Sequence, residues 1–265
     1  MKKLIPIGVA GTIVSLAALV CGYQIARSGM NVPVNAAATG ATPELGESIR
    51  NYLLANPELL TEMQTVMEEK ERAEQLQASM ATIKDASADI FKAPSDAVIG
   101  NPQGKTTIVE FYDYNCGFCR RAMDDMYALT KADPDLRFVL KELPILGPDS
   151  QRAHIVSQAF HRLMPEKYTE FHNQLLGGDK GRATEESAVS IAVALGADEA
   201  ALRAEMQKPE VIAALQKNFE LADRLQITGT PSYVIGDEVV FGALGEQILS
   251  QKIAAAREQC QTAAC

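Results

Sequence analysis

Apolar residues are spaced differently in successive stretches of the chain, and each spacing predicts a different element. From Leu4 to Ala26 no charged residue occurs, and Lys2 and Lys3 precede the run. It is longer than a usual secretory core and long enough for a tilted membrane helix of roughly 20 residues. Two lysines before it and a single Arg27 after it orient the N-terminus to the cytoplasm and the remainder outside. A signal anchor is the first reading. A cleaved signal peptide with Ala36-Ala37-Ala38 as the cutting site is the second, although that site sits some distance past the apolar run. Leu19-Val20 before Cys21 argues against a lipoprotein. Residues 28–42 are rich in Gly, Ala, Asn, Pro and Thr and read as a flexible tether.

A different period follows. Ile49, Tyr52 and Leu53 form a short apolar face before Asn56-Pro57. Leu60, Met63 and Met67 step by three and four. Ala73, Leu76, Met80, Ile83, Ser87 and Ile90 repeat those steps in a shifted phase, beyond the polar stretch Glu68–Arg72. This predicts a long helix whose stripe has nothing within its own segment to cover it. Either the stripe packs on the neighbouring domain, or it pairs with copies of itself.

After Ala93-Pro94 the pattern changes again. TTIVEFY (Thr106–Tyr112) reads as a buried strand, residues 116–132 as a helix and RFVLKEL (Arg137–Leu143) as a second strand. Three helical faces come next: Val156, Ala159, Phe160 and Leu163; Ala188, Ile191, Ala192 and Leu195; Ile212, Leu215, Phe219 and Ala222. Strands Ser232–Ile235 and Glu238–Phe241 flank the hairpin signal Gly236-Asp237, and a last helix runs over about 244–259. The order βαβ, helices, ββα predicts an α/β class: a mixed sheet interrupted by an all-helical insertion.

Composition narrows the functions. The chain has 265 residues, 47% of them hydrophobic, with a net charge of −9, which supplies a full core and excludes disordered or collagen-like classes. Phosphate binding needs clustered Lys and Arg, so nucleic acid is excluded as a partner. Five cysteines are too few for a disulfide-stapled miniprotein, so a cysteine pair points to chemistry.

Cys116-Gly117-Phe118-Cys119 carries that chemistry. It follows a buried strand and opens a helix, where unpaired backbone N–H groups and the helix dipole favour thiolate over thiol. Thiolate is the nucleophile of disulfide exchange, and the two-residue spacer sets Cys119 one turn later. A structural zinc site needs a second such pair, which Cys260 and Cys265 are wrongly spaced to provide. His154, His161 and His172 fall in the helical block, where ordinary helix positions are the plainer reading than ligands. Thr228-Gly229-Thr230-Pro231 precedes a strand, where a cis Thr230–Pro231 bond would turn the Thr230 backbone towards an extended substrate beside the cysteines.

With strand, CGFC, helical block and TGTP in this order, residues 103–259 resemble the thioredoxin fold, in its DsbA-like branch with a helical insertion. The resemblance implies Cys116 as nucleophile, Cys119 as its resolving partner in a redox-active disulfide, and Pro231 as the cis-proline with Thr230 before it. It also matches Glu110 to the buried acid that assists proton transfer, with Lys141 expected as its charge partner. Gly117 and Phe118 complete the active-site loop. No dissociable cofactor and no metal are implied.

The Gly-Phe spacer departs from the Pro-His of strongly oxidising DsbA proteins and, with Thr230 before the cis-proline, looks more like isomerases of the DsbC and ScsC kind. The helical segment from ESIRNYLLANPELL (Glu47–Leu60) onward is similar to the oligomerisation region of ScsC-like proteins, some of them trimers. The organisation expected is a signal anchor or signal peptide (1–27), a linker (28–42), a helical oligomerisation segment (43–92) and a thioredoxin-like domain (93–265) with its insertion at about 149–226.

The expected function is an extracytoplasmic, periplasmic disulfide isomerase or reductase. It would be tethered to the inner membrane by its N-terminal helix or released after cleavage. Its partners would be misfolded or reduced secreted proteins, a membrane redox partner for the CGFC pair, and further copies of itself. The rivals are a dithiol oxidase using the same cysteines and, from another class, a Cu(I)-handling protein, since paired thiolates suit that ion. Cys260 and Cys265 could form a terminal disulfide, link to a neighbour or stay free.

Overall fold

A computed structural model describes residues 42–178 and 181–262 of the chain. The Leu4–Ala26 run, the tether, Cys21 and Cys265 lie outside the described residues, as does the side chain of Cys260. Among the described residues, no helix is long and apolar enough to cross a membrane.

The β-branched and aromatic run TTIVEFY forms β2 (Thr106–Tyr112), the centre of a five-stranded sheet. The other strands are β1 (Ala97–Gly100), β3 (Leu136–Glu142), β4 (Ser232–Ile235) and β5 (Glu238–Phe241), in the order β1-β3-β2-β4-β5. Only β2 and β3 run parallel. Their connection is α4 (Gly117–Ala132), long enough to cross over between parallel neighbours. The β4–β5 hairpin turns at Gly236, whose φ of +58° suits glycine. Strand β3 starts and ends one residue earlier than the sequence pattern suggests. β1 was not anticipated: its four residues are too few to show a period, and they are fixed only by antiparallel pairing with β3.

Alternation along β2 sorts its side chains onto two layers. Ile108 and Tyr112 face a core shared with Met126 and Leu129 of α4, Leu249 and Ile253 of α10 (Glu246–Thr262), and the helical insertion. Val109 and Phe111 face the other core, with Leu221, Ala222 and Leu225 at the end of α9 (Pro209–Arg224). The insertion consists of α5 (Pro148–Leu163), a 3-10 turn at Pro165–Lys167, α6 (Tyr168–Gly177), α7 (Glu185–Ala194), α8 (Glu199–Met206) and α9. Pro at the first helical position opens α5 and α9; Thr184 and Asp198 cap α7 and α8.

Ahead of the sheet lie α1 (Pro43–Ala55), α2 (Glu58–Asp85) and α3 (Ser87–Phe91). The chain divides into two compact units, one ending at Met67 and the other beginning at Glu68. In the first, no residue of α1 is buried, and Leu60, Met63, Val66 and Met67 stand exposed. In the second, Ile83, Ala86 and Ile90 are buried in the core with Val109 and Phe111. The expected boundary between residues 92 and 93 is therefore corrected: the last turns of that helical stretch belong to the core of the second unit. Packing on the domain thus accounts for the end of the stripe at Ile83 and Ile90, while its beginning at Leu60, Met63 and Met67 stays uncovered.

Candidate active site

β2 ends at Tyr112, and Asp113-Tyr114-Asn115 turn the chain into α4. Cys116 is the N-cap of that helix, with extended backbone angles (φ −83°, ψ 113°), so its sulfur sits where the first helical N–H groups have no internal partner. Cys119 lies one turn inside and is fully buried; Cys116 is 6% exposed. Both are free thiols, so this is the dithiol form. The Cys116 sulfur lies 3.1 Å from the Thr230 carbonyl oxygen, to which its protonated form donates. The Thr230–Pro231 bond is cis. Phe118, between the two cysteines in sequence, is exposed, under the Arg121 guanidinium at 4.3 Å from its ring centroid. Gly117 has open space around it.

The two thiols are driven in opposite directions. The Cys116 pKa is lowered to about 5, chiefly by a hydrogen bond from the Cys119 thiol. The Thr230 side chain and the backbone N–H groups of Cys119 and Phe118 add to this, against the opposing effect of burial. The Cys119 pKa is raised far above the ordinary thiol range by burial, by its bond to Cys116 and by the Glu110 charge. One sulfur is thus a thiolate at neutral pH, and its neighbour holds its proton until something takes it.

Glu110 lies near enough to both thiols for their charges to act on one another. It is buried, on the β2 face that looks towards α4, opposite Tyr233 of β4. Burial, then the Cys116 and Asp125 charges, raise its pKa to about 8, where it can exchange a proton near neutrality. The expected partnership with Lys141 is corrected. In the parallel register Glu110 pairs with Leu140 and Phe111 with Lys141, so Lys141 lies on the opposite face of the sheet. There it is buried, forms an ion pair with Asp96 at 2.5 Å and donates to the Asp89 carbonyl. It holds the segment around α3 to the sheet and does not serve the thiols.

Comparison with known proteins agrees with this geometry. Residues 107–254 match the model of the DSBA-like thioredoxin domain. The chain belongs to the DSBA-like thioredoxin family. It is accordingly a protein-disulfide oxidoreductase. Residues 42–74 match the model of the Copper resistance protein ScsC N-terminal domain. A thioredoxin-like oxidoreductase from Silicibacter pomeroyi is 40% identical, with a TM-score of 0.61 over 64% of this chain and 97% of its own. The thiol-disulfide exchange protein alpha-DsbA2 from Wolbachia pipientis is 27% identical, with a TM-score of 0.62 over 69% and 97%. Disulfide bond formation protein D of Bacillus subtilis is 24% identical over 155 residues, which is 54% of this chain and 68% of that protein.

Around the CXXC loop of this DSBA-like domain lies a polar scaffold that sequence reasoning missed. Asp113 accepts from the Asn115 N–H (2.8 Å), the Leu146 N–H (2.9 Å) and the Ser150 hydroxyl (2.8 Å). Asn115 brackets Ala183, accepting its N–H at 2.8 Å and donating to its carbonyl at 3.0 Å. The loop is thereby stapled to the helical insertion. Tyr112, Tyr114 and Tyr168 share hydrogen bonds behind it, and burial lowers the His172 pKa to about 3. His154 is a buried helix residue, bonded to Glu142. The available signal was the unusual density of polar residues at the ends of two strands, in YDYN and KE.

Proposed function

We propose that this chain is an extracytoplasmic disulfide isomerase or reductase acting on wrongly paired secreted proteins in the periplasm. Cys116 thiolate attacks one sulfur of a substrate disulfide, forms a mixed disulfide and expels the other substrate sulfur as a thiolate. In isomerisation a different substrate thiolate then attacks the mixed disulfide and releases Cys116. In reduction the ionised fraction of Glu110 takes the Cys119 proton, Cys119 attacks Cys116 of the mixed disulfide, and the second substrate sulfur leaves and is protonated, leaving a Cys116–Cys119 disulfide that a membrane redox partner must reduce.

The observation that carries this reading is the opposite displacement of the two thiols, with Cys116 at about 5 and Cys119 far above. The exposed apolar residues of α1 and early α2, over the stretch similar to the ScsC N-terminal model, support self-association as the means of presenting several such sites together. The Thr230 carbonyl beside Cys116, ahead of the cis Pro231, suits an extended substrate chain.

A dithiol oxidase is the second reading, and the Cys116 pKa itself favours it in part. A value of about 5 lies between about 7 for a reducing thioredoxin and about 3.5 for an oxidising DsbA, and a stabilised thiolate makes the disulfide form more oxidising. Trapping tests the mixed disulfide on Cys116 that both readings pass through. A Cys119→Ala protein should accumulate mixed disulfides with an oxidised secreted substrate, all of them lost in Cys116→Ser/Cys119→Ala. Mixed disulfides that survive the Cys116 change would refute the assignment.

A further inference from the structure

Between the sheet and the insertion lies a closed cluster whose centre is Glu142, the last residue of β3. Its Oε1 accepts from the Ser157 hydroxyl at 2.7 Å and the Tyr168 hydroxyl at 3.1 Å. Its Oε2 lies 2.7 Å from Nδ1 of His154, which is fully buried on α5. The other ring nitrogen, Nε2, is 3.1 Å from the backbone N of Tyr114. A backbone N–H can only donate, so Nε2 must carry the lone pair. Nδ1 therefore carries the proton and donates it to the carboxylate. The carboxylate sets the tautomer, and the tautomer supplies the one acceptor the backbone needs.

That backbone group matters because of where it sits. Tyr114 follows the end of β2, so its N–H has left the strand ladder, and the residue is fully buried, out of reach of water. It stands two residues before Cys116, whose own N–H donates to the Asp113 carbonyl at 2.9 Å. Nε2 of His154 also lies 4.0 Å from Asp113 Oδ1, the oxygen that fixes the Asn115 N–H. Without the imidazole acceptor the Tyr114 N–H would be a buried orphan, and the turn would have to move to satisfy it.

We propose that Glu142 and His154 form a positioning pair: Glu142 fixes the His154 tautomer, and His154 holds the Tyr114 N–H so that the turn delivers Cys116 to the helix N-terminus and the Thr230 carbonyl. Neither residue touches substrate; both act through the backbone. The proposal rests on Cys116 being the nucleophile, and its effect is on the rate of exchange. Displacements of about 1 Å at a reacting centre can cost up to about a hundredfold in rate.

The test uses the full chain and three proteins: wild type, His154→Gln, which can keep an acceptor oxygen near Nε2, and His154→Phe, which fills the ring volume without one. The readouts are nitrogen NMR of the His154 imidazole, hydrogen exchange of the Tyr114 amide, and the rate of exchange with a small disulfide. Wild type should show the Nδ1–H tautomer and a protected Tyr114 amide. His154→Phe should lose that protection and slow exchange about tenfold or more, whereas His154→Gln should stay within about threefold of wild type. An Nε2–H tautomer in wild type overturns the proposal even if neither variant folds. So does a His154→Phe protein with an unprotected Tyr114 amide and an unchanged rate. Failure of the underlying reading looks different: a Cys116→Ser protein that still performs exchange, whatever the imidazole and amide report.

Discussion

Replacing Cys119 by Ala removes the donor that does most to hold Cys116 as a thiolate. Hydrogen bonds to charged groups are worth about 1.5–3 kcal/mol, and one pKa unit is about 1.4 kcal/mol. A thiol is a weak donor, so the lower end applies, and the Cys116 pKa should rise from about 5 by about one unit. Two effects then oppose each other. Near pH 5 the thiolate fraction falls about fivefold, while the more basic thiolate becomes about threefold more nucleophilic, taking a Brønsted slope of about 0.4–0.5. Above pH 7 both proteins are fully ionised and only the second effect remains. Alkylation of Cys116 should therefore run about twofold slower than wild type near pH 5 and about threefold faster above pH 7. Cys119→Ser, which keeps a hydroxyl donor, should lie nearer wild type. The assay is the pH profile of iodoacetamide reaction, read beside ultraviolet thiolate absorbance. A midpoint unmoved in Cys119→Ala, or rate profiles that do not cross, would refute the claim that Cys119 sets the Cys116 thiolate.

Other perturbations separate structure from chemistry. Glu110→Gln should slow the resolving step and alter stability with a definite sign. The folded protein keeps the Glu110 proton up to about pH 8 and the unfolded chain only to about 4.5, so wild-type stability falls as pH rises through that window. The Gln variant lacks this loss and should gain on wild type by a few kcal/mol at the alkaline end, at about 1.4 kcal/mol per pKa unit, measured by denaturant unfolding at several pH values. Lys141→Met should lower stability by about 3 kcal/mol near pH 8, because the Asp96 charge loses its buried partner. The loss should shrink near pH 5, since burial raises the Asp96 pKa to about 6, and the Cys116 titration should not move. Leu60→Lys combined with Met67→Lys should reduce sedimentation mass if the exposed stripe of the first unit is a self-association face, and a chain starting at Glu68 should sediment as a monomer.

What the sequence reveals here is what is local. β2, the start of α4 and the β4–β5 hairpin each carry their own signal within a few residues: β-branched density, a helix-opening CGFC and a Gly-Asp turn. Features set by long-range register do not. β1 is a strand because of β3, some 40 residues on, and nothing within AVIG announces it. Lys141 and Glu110 read as plausible partners by strand adjacency, but a parallel register puts Lys141 beside Phe111, and side-chain alternation sends the two charges to opposite faces. The stripe from Leu60 to Ile90 has one period in sequence and two fates in space. Ile83 and Ile90 are buried under the sheet, whereas Leu60 and Met67 remain open. The grip on the CGFC loop was hidden for the same reason. Glu142, His154 and Tyr114 lie on β3, α5 and a turn, and only the packed insertion brings them together.

Whether Cys116 serves the repair of wrong disulfides is decided by recovery of activity from a secreted enzyme with scrambled disulfides, under a mildly reducing thiol buffer. Strong recovery is expected with the full chain and none with Cys116→Ser, together with substantial recovery by Cys119→Ala, because isomerisation needs only the first thiol. Weak recovery beside rapid oxidation of a reduced dithiol peptide would contradict the isomerase reading and make the same two cysteines those of an oxidase.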